Sequence, residues 1–167
     1  MPVNFIYIGV DPGLDGAVAF LGQDLLVVEE MPTLKVAGTK GERREYDISA
    51  MAIMISLKYR SLGVAAHAAL ESVHSFPGQG VRSMFSMGQG LGIWKGIFAA
   101  LGIPCDMVTP QRWKKLLMDG MGKKKDASRL RASQLFPDVG FPRKKDHGRA
   151  EALLIAEYLR RSLNHAT

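Results

Sequence analysis

The sequence has 167 residues, 47% of them hydrophobic, which is about enough for one ordinary core and predicts a single domain over residues 1–167. It has no apolar run of 18 residues and no basic start followed by an apolar stretch, so we expect neither a membrane span nor a secretory signal, but a soluble intracellular protein. The one cysteine, Cys105, excludes an internal disulfide framework and a thiolate zinc site, and we predict it to be a buried strand residue.

The positive charge of the chain is unevenly distributed. The net charge is +6 and the isoelectric point is near 9.6. The segment from Arg112 to Lys145 contains eleven Lys and Arg residues and three Asp residues, whereas the rest of the chain is slightly acidic. A basic segment on such a body predicts a face that binds a phosphate backbone, and a solvated basic surface is the alternative.

The first third of the chain reads as short strands. Three apolar segments are separated by turn residues and predict an antiparallel meander: Val3–Val10, Ala17–Leu21 and Leu25–Glu30. The polar, glycine-containing segment Pro32–Arg44 is predicted to be a loop.

The middle of the chain predicts a helix, a strand and a longer helix. Asp47 or Ser49 can cap a helix that runs to about Leu62. The apolar segment Val64–Val73 favours a buried strand, although its alanines leave a helix possible. Most of Gly78–Gly102 should be helical, and its glycines indicate the close approach of another helix or a ligand.

The last third predicts one more strand and three helices. Cys105–Val108 is the strand, Pro110 begins a helix over Gln111–Met118, and Gly120–Lys125 is a mobile basic loop. Two further helices are predicted over Ala127–Leu135 and Gly148–Leu163. This order of elements predicts an α/β fold with a mixed central sheet flanked by helices.

Two carboxylates stand at predicted strand ends. Asp11 follows the first strand, where it would face an open crevice and could act as a metal ligand or an acid/base group. Asp-Pro-Gly is also simply a good turn. Glu71 ends an apolar strand, and its buried charge needs a cation, which could be Mg²⁺ or a lysine.

The start of the last predicted helix carries three further polar groups. Asp146 is at an N-cap position, and His147 and Glu151, four residues apart, would project from one helix face. Helix capping and solubility explain Asp146 and His147 equally well.

Together these segments resemble a known family. In chain order, the resemblance rests on GVDPG (9–13), ALES (69–72), GQGLGIWKG (88–96), TPQRWKK (109–115), KDASR (125–129) and DHGRAEALLIA (146–156). They are similar to the RNase H-like nucleases, and more closely to the phage and plant chloroplast branch of the RuvC-type Holliday junction resolvases. The resemblance implies an RNase H-like fold and a metal-dependent endonuclease that cuts branched DNA with symmetric nicks.

Carried over by position, the resemblance implies the roles of the acidic residues. Four of them would bind two Mg²⁺ ions, which Mn²⁺ can replace: Asp11, Glu71, Asp146 and Glu151. His147 could replace Asp146 at the metal or orient the attacking water. Lys125 would stabilise phosphate charge in the transition state.

The resemblance also implies DNA contacts and a dimer. Phe76 would stack on an opened base. The other residues expected to bind DNA, besides Lys125, are basic: Arg82, Arg112, Lys114, Lys115, Lys123, Lys124, Arg143, Lys144 and Lys145. The helix with Gly88–Gly96 would join two copies, so that a twofold axis pairs two active sites on a four-way junction.

Other functions remain open at this point. A related nuclease that acts on RNA, RNA–DNA hybrid or flaps would use the same phosphate chemistry. A junction-binding protein without catalysis is a second class, which the full set of carboxylates disfavours. A sugar kinase or actin-like phosphate loop is the third, but it needs two such domains. The missing targeting residues favour a bacterial or phage-infected cytoplasm.

Overall fold

The computed structural model describes residues 5–38, 41–74, 77–122 and 126–164, with only the backbone of residues 59–62. The strands in this part are β1 (Phe5–Asp11), β2 (Ala17–Leu21), β3 (Leu26–Glu30), β4 (Thr33–Gly38), β5 (Gly41–Tyr46), β6 (Ala65–Glu71) and β7 (Cys105–Val108). The helices are α1 (Ile48–Leu62), α2 (Val81–Leu101), α3 (Pro110–Leu117), α4 (Ala127–Leu135) and α5 (His147–Asn164), and a short 3₁₀ helix (Lys144–Asp146) precedes α5.

The central sheet is mixed, with the strand order β3-β2-β1-β6-β7. The pairs β1–β2 and β2–β3 are antiparallel, as the meander predicts, whereas β1–β6 and β6–β7 are parallel. Helices cover both faces, because one buried cluster joins the sheet to α1 and α2 and another joins it to α3, α4 and α5. The α/β prediction and the strands and helices of the last two thirds are confirmed.

The segment predicted as the loop Pro32–Arg44 instead contains a hairpin. Strands β4 and β5 pair with each other from Thr33↔Tyr46 to Gly38↔Gly41 and form a separate two-stranded sheet. Most of its side chains are exposed, so the pattern of alternating burial that identifies a strand is missing. Only Tyr46 is buried, and its hydroxyl donates a hydrogen bond to the Pro12 carbonyl.

Helix α5 lies directly on β1 because two positions have no side chain. A Cβ on Gly9 would stand 2.1 Å from the Ala152 carbonyl oxygen, and one on Gly148 would stand 2.3 Å from the Asp15 carbonyl oxygen. Any other residue would therefore push α5 away from the end of β1. The first turn of α5 is held at the point where the chain leaves β1.

The glycines of α2 have different surroundings. A Cβ on Gly90 would stand 2.5 Å from the Pro12 carbonyl oxygen, so the segment that approaches this glycine closely is the loop after β1, and not another helix or a ligand as predicted. In the described part of the chain, a Cβ on Gly88, Gly92 or Gly96 would meet no atom within 4 Å. Cys105 is only half-buried, contrary to prediction, because β7 is an edge strand.

Candidate active site

Two carboxylates lie side by side where the parallel strands β1 and β6 end. The register pairs Val10 with Leu70, so the next residues, Asp11 and Glu71, are neighbours. Side chains alternate along a strand, and Asp11 therefore projects from the same face as Gly9, against which α5 packs. Glu71 projects from that face too, because Ala69, two residues earlier, belongs to the cluster around α5.

The first turns of α5 bring two more polar groups to this place. His147 Nε2 lies 3.3 Å from Glu151 Oε1, as expected for residues four apart on a helix. Asp11 Oδ2 would stand 3.2 Å from a Cβ on Gly148, so the carboxylate of Asp11 lies against the first turn of α5. We call Asp11, Glu71, His147 and Glu151 the acidic cluster.

Burial and mutual repulsion change the protonation of two acids in the cluster. Burial, followed by the charge of Glu151, raises the pKa of Asp11 to about 6. Burial also raises the pKa of Glu71 to about 7 against the hydrogen bond from Trp113, and the charges of Asp11 and Glu151 raise it further. The positive charges of His147 and Lys114 lower the pKa of Asp11, and that of Lys114 lowers the pKa of Glu71, but neither is enough to offset burial. The strongly perturbed pKa values of these two acids are typical of functional sites.

Glu151 is the acid of the cluster that already has positive neighbours. Lys114 Nζ, from α3, lies 3.1 Å from Glu151 Oε1, and the Ser128 hydroxyl, from α4, donates a hydrogen bond of 3.0 Å to the same oxygen. Burial raises the pKa of Glu151, but His147 and Lys114 outweigh burial and lower it. The pKa of His147 is raised by its hydrogen bond to Glu151.

The fourth predicted acid, Asp146, is held elsewhere. Its carboxylate accepts a hydrogen bond of 2.8 Å from the Arg143 backbone and one of 2.6 Å from the Arg143 side chain, and Arg149 lies 3.5 Å away. Hydrogen bonds from the Arg143 guanidinium hold the pKa of Asp146 well below its usual range. Asp146 is fully buried among these arginines, whereas His147 reaches the cluster.

The donor set of the cluster suits a hard divalent cation. Carboxylate oxygens with one imidazole are ligands that Mg²⁺ or Mn²⁺ accepts. In the part of the chain that the structure describes, no three His, Cys, Asp or Glu side chains yet converge closely enough to hold an ion. One oxygen of Glu151 is also in contact with the Lys114 ammonium group. The cluster fits a metal by its chemistry, after movement of side chains.

The predicted DNA-binding residues differ in their exposure and in their contacts. Phe76 and Lys123–Lys125 lie outside the described residues. Most of the other basic residues are exposed, as a phosphate-binding surface requires: Arg82, Arg112, Lys115, Arg143, Lys144 and Lys145. Two of them are engaged by Glu30, whose Oε1 lies 3.0 Å from Arg143 Nη2 and 3.5 Å from Lys145 Nζ.

Three residues at this end of the molecule are not identified by the sequence reasoning. Trp113 is fully buried and its Nε1 donates a hydrogen bond of 2.8 Å to Glu71 Oε1. Ser128 binds Glu151 as described above. Phe85 on α2 is 73% exposed, an unusual position for an aromatic ring, and lies one helical turn from Arg82. The motifs containing Trp113 and Ser128 are visible in the sequence, but their contacts with the acids are not.

Comparison with known proteins gives one curated relative. No family model matches the chain. The chain is similar to the chloroplastic Holliday junction resolvase MOC1 of Chlamydomonas reinhardtii, with 35% identity over 97 residues. The similar region is 57% of this chain and 11% of that protein, so the chain spans about a tenth of the relative's length. The expected bacterial or phage setting stays a prediction.

Solved structures share the fold. RuvC of Thermus thermophilus in complex with a Holliday junction substrate matches with a TM-score of 0.64 and 16% identity, over 97% of this chain and 96% of that one. A second RuvC structure from Thermus thermophilus matches with a TM-score of 0.62 and 16% identity, over 97% of each chain. The yeast mitochondrial Holliday junction resolvase Ydc2 matches with a TM-score of 0.51 and 12% identity, over 95% of this chain and 80% of that one. The chain therefore has the RNase H-like fold that the resemblance implies.

The described helices carry no candidate for a membrane span. None of them is both long and apolar enough to cross a bilayer.

Proposed function

We propose that this protein is a metal-dependent endonuclease that resolves Holliday junctions and related branched DNA. The observation that carries the proposal is the acidic cluster, in which β1, β6 and α5 bring three acids and a histidine together. Burying so much negative charge without a bound cation would destabilise the protein. A purely structural role for all four residues explains their positions less well than a cation-binding site does.

Asp11, Glu71, Glu151 and His147 are the proposed metal-site residues. Asp146 is a weaker candidate than His147, because its carboxylate is already neutralised by Arg143. Its proposed role is to fix the 3₁₀ turn that precedes α5, and so to orient His147. Of the two candidates for the fourth group that the sequence leaves open, Asp146 and His147, we therefore propose His147.

Two divalent ions, when bound at such a cluster, stabilise charge on the attacking and leaving oxygens of phosphodiester hydrolysis and promote ionisation of water. The protein's own groups do the remaining work. His147 lies on the exposed side of the cluster and can orient a water molecule or accept its proton. Lys114, paired with Glu151 in this structure, is free to turn to a phosphate oxygen once another cation neutralises Glu151.

The proposed substrate rests on the relatives. The curated relative is a Holliday junction resolvase, and one of the matching RuvC structures is a complex with a Holliday junction substrate. The exposed basic residues on α3 and before α5 support binding of a DNA backbone next to the cluster. Phe76 would stack on an opened base, and Phe85, whose ring is exposed, is a second candidate for this role.

The proposed assembly is a homodimer. Exposed apolar side chains of α1, Ile48 and Ile53, line a groove of about 520 Å³ together with Gly92 and Gly96 of α2. Among the described residues, no atom lies within 4 Å of a Cβ placed on either glycine. A second copy related by a twofold axis would cover the groove and give two active sites for symmetric nicks.

The dimer can be tested by a matched pair of substitutions. Ile53→Glu should give a monomer in sedimentation, since it adds a charge to the groove. Leu130→Glu, at an almost equally exposed leucine on α4, should leave the mass unchanged. A dimeric Ile53→Glu protein would exclude this groove as the interface.

Cleavage of matched substrates tests the proposed activity. A synthetic four-way junction, a linear duplex and an RNA–DNA hybrid of the same sequence are compared in Mg²⁺, Mn²⁺, Ca²⁺ and EDTA. We expect paired nicks in the junction with Mg²⁺ or Mn²⁺, while Asp11→Asn still binds the junction without cutting it. Equal rates on the hybrid would favour a nuclease acting on hybrid, and cleavage in EDTA would exclude the metal mechanism. Residues 1–167 are proposed to act as one nuclease domain.

A further inference from the structure

We propose that Trp113 is a positioning residue, which fixes one metal-site acid and one active-site cation at the same time. Its indole Nε1 donates a hydrogen bond of 2.8 Å to Glu71 Oε1. The face of the same ring lies 4.9 Å from Lys114 Nζ. This inference rests on the proposed function, because it takes Glu71 as a metal ligand.

The hydrogen bond decides which oxygen of Glu71 remains for a cation. Both partners are buried, Trp113 completely and Glu71 to 8% exposure, so no bulk water competes for Oε1. Among the described residues, Oε1 has this one donor and no hydrogen bond to Oε2 is found. Trp113 thus removes rotational freedom from the carboxylate and leaves Oε2 as the oxygen without a donor among these residues.

The contact with Lys114 depends on the rigidity of α3. This helix begins at Pro110, and its buried residues, Trp113 and Leu117, lie in the core cluster around α5. Adjacent residues of a helix project in different directions, but Lys114 bends back over the ring of Trp113 to reach Glu151. An ammonium group over an indole face is held by the ring's quadrupole, most strongly where water is excluded.

Trp94 shows that packing alone does not require such a bond. It is also fully buried, in the other core cluster, and its Nε1 has no hydrogen-bond partner among the described residues. The chain has two tryptophans, so they form a natural pair for comparison. If Trp113 were only a core residue, replacing either indole by a phenyl ring would have the same kind of effect.

The test is the affinity of the full chain for Mn²⁺, measured by calorimetry without DNA. Trp113→Phe should weaken binding about 10- to 100-fold, the range typical of residues that orient metal ligands. Trp94→Phe should leave the affinity unchanged, even if both variants lose similar thermal stability. Equal affinity of Trp113→Phe and wild type would overturn the inference.

A double-mutant cycle shows whether Trp113 acts through Glu71. In a Glu71→Gln background, Trp113→Phe should cost little further Mn²⁺ affinity, whereas the same loss in both backgrounds would contradict the proposal. If Trp113→Phe does not fold, benzothienylalanine, which has sulfur in place of the indole N–H, is incorporated into the Trp94→Phe protein. A wild-type affinity there would equally refute the role of the bond.

The same measurement separates this inference from the proposed function. A wild-type protein that binds Mn²⁺ but cuts no junction would contradict the proposed substrate and leave the role of Trp113 intact. A wild-type protein that binds no Mn²⁺ would overturn both. Normal Mn²⁺ binding by Trp113→Phe, together with junction cleavage by wild type, would overturn the positioning role alone.

Discussion

Helix α5 contains two buried glutamates with opposite surroundings. Glu157 is 1% exposed, and its carboxylate accepts hydrogen bonds of 2.7 to 2.8 Å from Arg160 and Arg161. Glu151 is 6% exposed and has Lys114 and His147 as neighbours, but it also lies near Asp11 and Glu71. The positive charges of two arginines neutralise the one negative charge of Glu157. Near Glu151, Lys114 and His147 face three carboxylates, and this shortage of positive charge distinguishes a proposed functional site from a structural ion pair.

The strongest test of this comparison replaces each glutamate by glutamine. Glu151→Gln should lower junction cleavage about 10³-fold or more, since losing a metal ligand removes several kcal/mol of charge stabilisation. Glu157→Gln should leave cleavage by the folded protein unchanged. Its cost is in the free energy of unfolding, about 1 to 2 kcal/mol, because the two arginines are partly exposed and screened by solvent. Single-turnover cleavage and thermal unfolding measure the two effects, and similar activity losses in both variants would erase the distinction.

Lys114 and Lys115 sharpen the comparison on the basic side. Lys114→Met should lower the rate of cleavage at saturating junction about 10²-fold, because a cation aimed at the cluster is lost. Lys115 is exposed, and no ion pair between it and an acid is found among the described residues, so Lys115→Met should weaken junction binding and reduce its salt dependence by about one ion. The rate at saturation should stay near that of wild type. A binding defect alone in Lys114→Met would mean that both lysines merely hold the DNA backbone.

Asp146 and His147 distinguish a structural neighbour from a proposed site residue. His147→Asn should lower cleavage about 10- to 100-fold with little change in stability. Asp146→Asn should chiefly lower stability, by about 1 kcal/mol, through loss of the charged bonds from Arg143. Because the pKa of Asp146 is lowered, its contribution is present above pH 3.8 and is lost as the pH falls further. If Asp146→Asn is the variant that loses cleavage, the assignment of the fourth group reverses.

The sequence predicted those parts of the fold that pack against a core. The meander, α1, β6, α2 and α5 carry apolar residues that lie in the two buried clusters, and their bounds agree closely with prediction. The hairpin β4–β5 was missed because its strands pair with each other in solvent and bury only Tyr46. Local pattern therefore suffices where one face of an element is buried and fails where neither face is.

The site was predictable at the strand ends and less so at the helices. Asp11 and Glu71 follow apolar strands, and the parallel register makes them neighbours. Whether Asp146 or His147 turns towards them depends on Arg143, a contact that spacing does not reveal. The contact of Trp113 with Glu71 spans 42 residues, and it depends on how α3 lies over the sheet. Such contacts arise from tertiary packing, which a single sequence does not specify locally.

The smallest expected effect concerns the metal-free protein, in which the acidic cluster and Glu157 should respond oppositely to pH. The pKa of Glu157 is lowered on balance, because the hydrogen bonds from its arginines outweigh burial, so its contribution to stability is present above pH 4.5 and is lost as the pH falls. Burial raises the pKa of Asp11 from 3.8 to about 6. The contribution of Asp11 to the stability of the folded protein is therefore greatest below pH 3.8, and it is lost as the pH rises through 6.

Asp11→Asn should therefore raise the melting temperature in EDTA at pH 8, by on the order of 5 °C, since a buried charge is removed. The gain should shrink as the pH falls from 6 and nearly vanish well below pH 3.8, where the wild-type acid is protonated in both the folded and unfolded states. Taking the difference between variant and wild type at each pH cancels the contribution of Glu157, which both proteins share. A gain that is the same at pH 4 and pH 8 would mean that Asp11 carries no unbalanced charge. The cluster would then be as fully neutralised as Glu157, and the need for a cation would disappear with it.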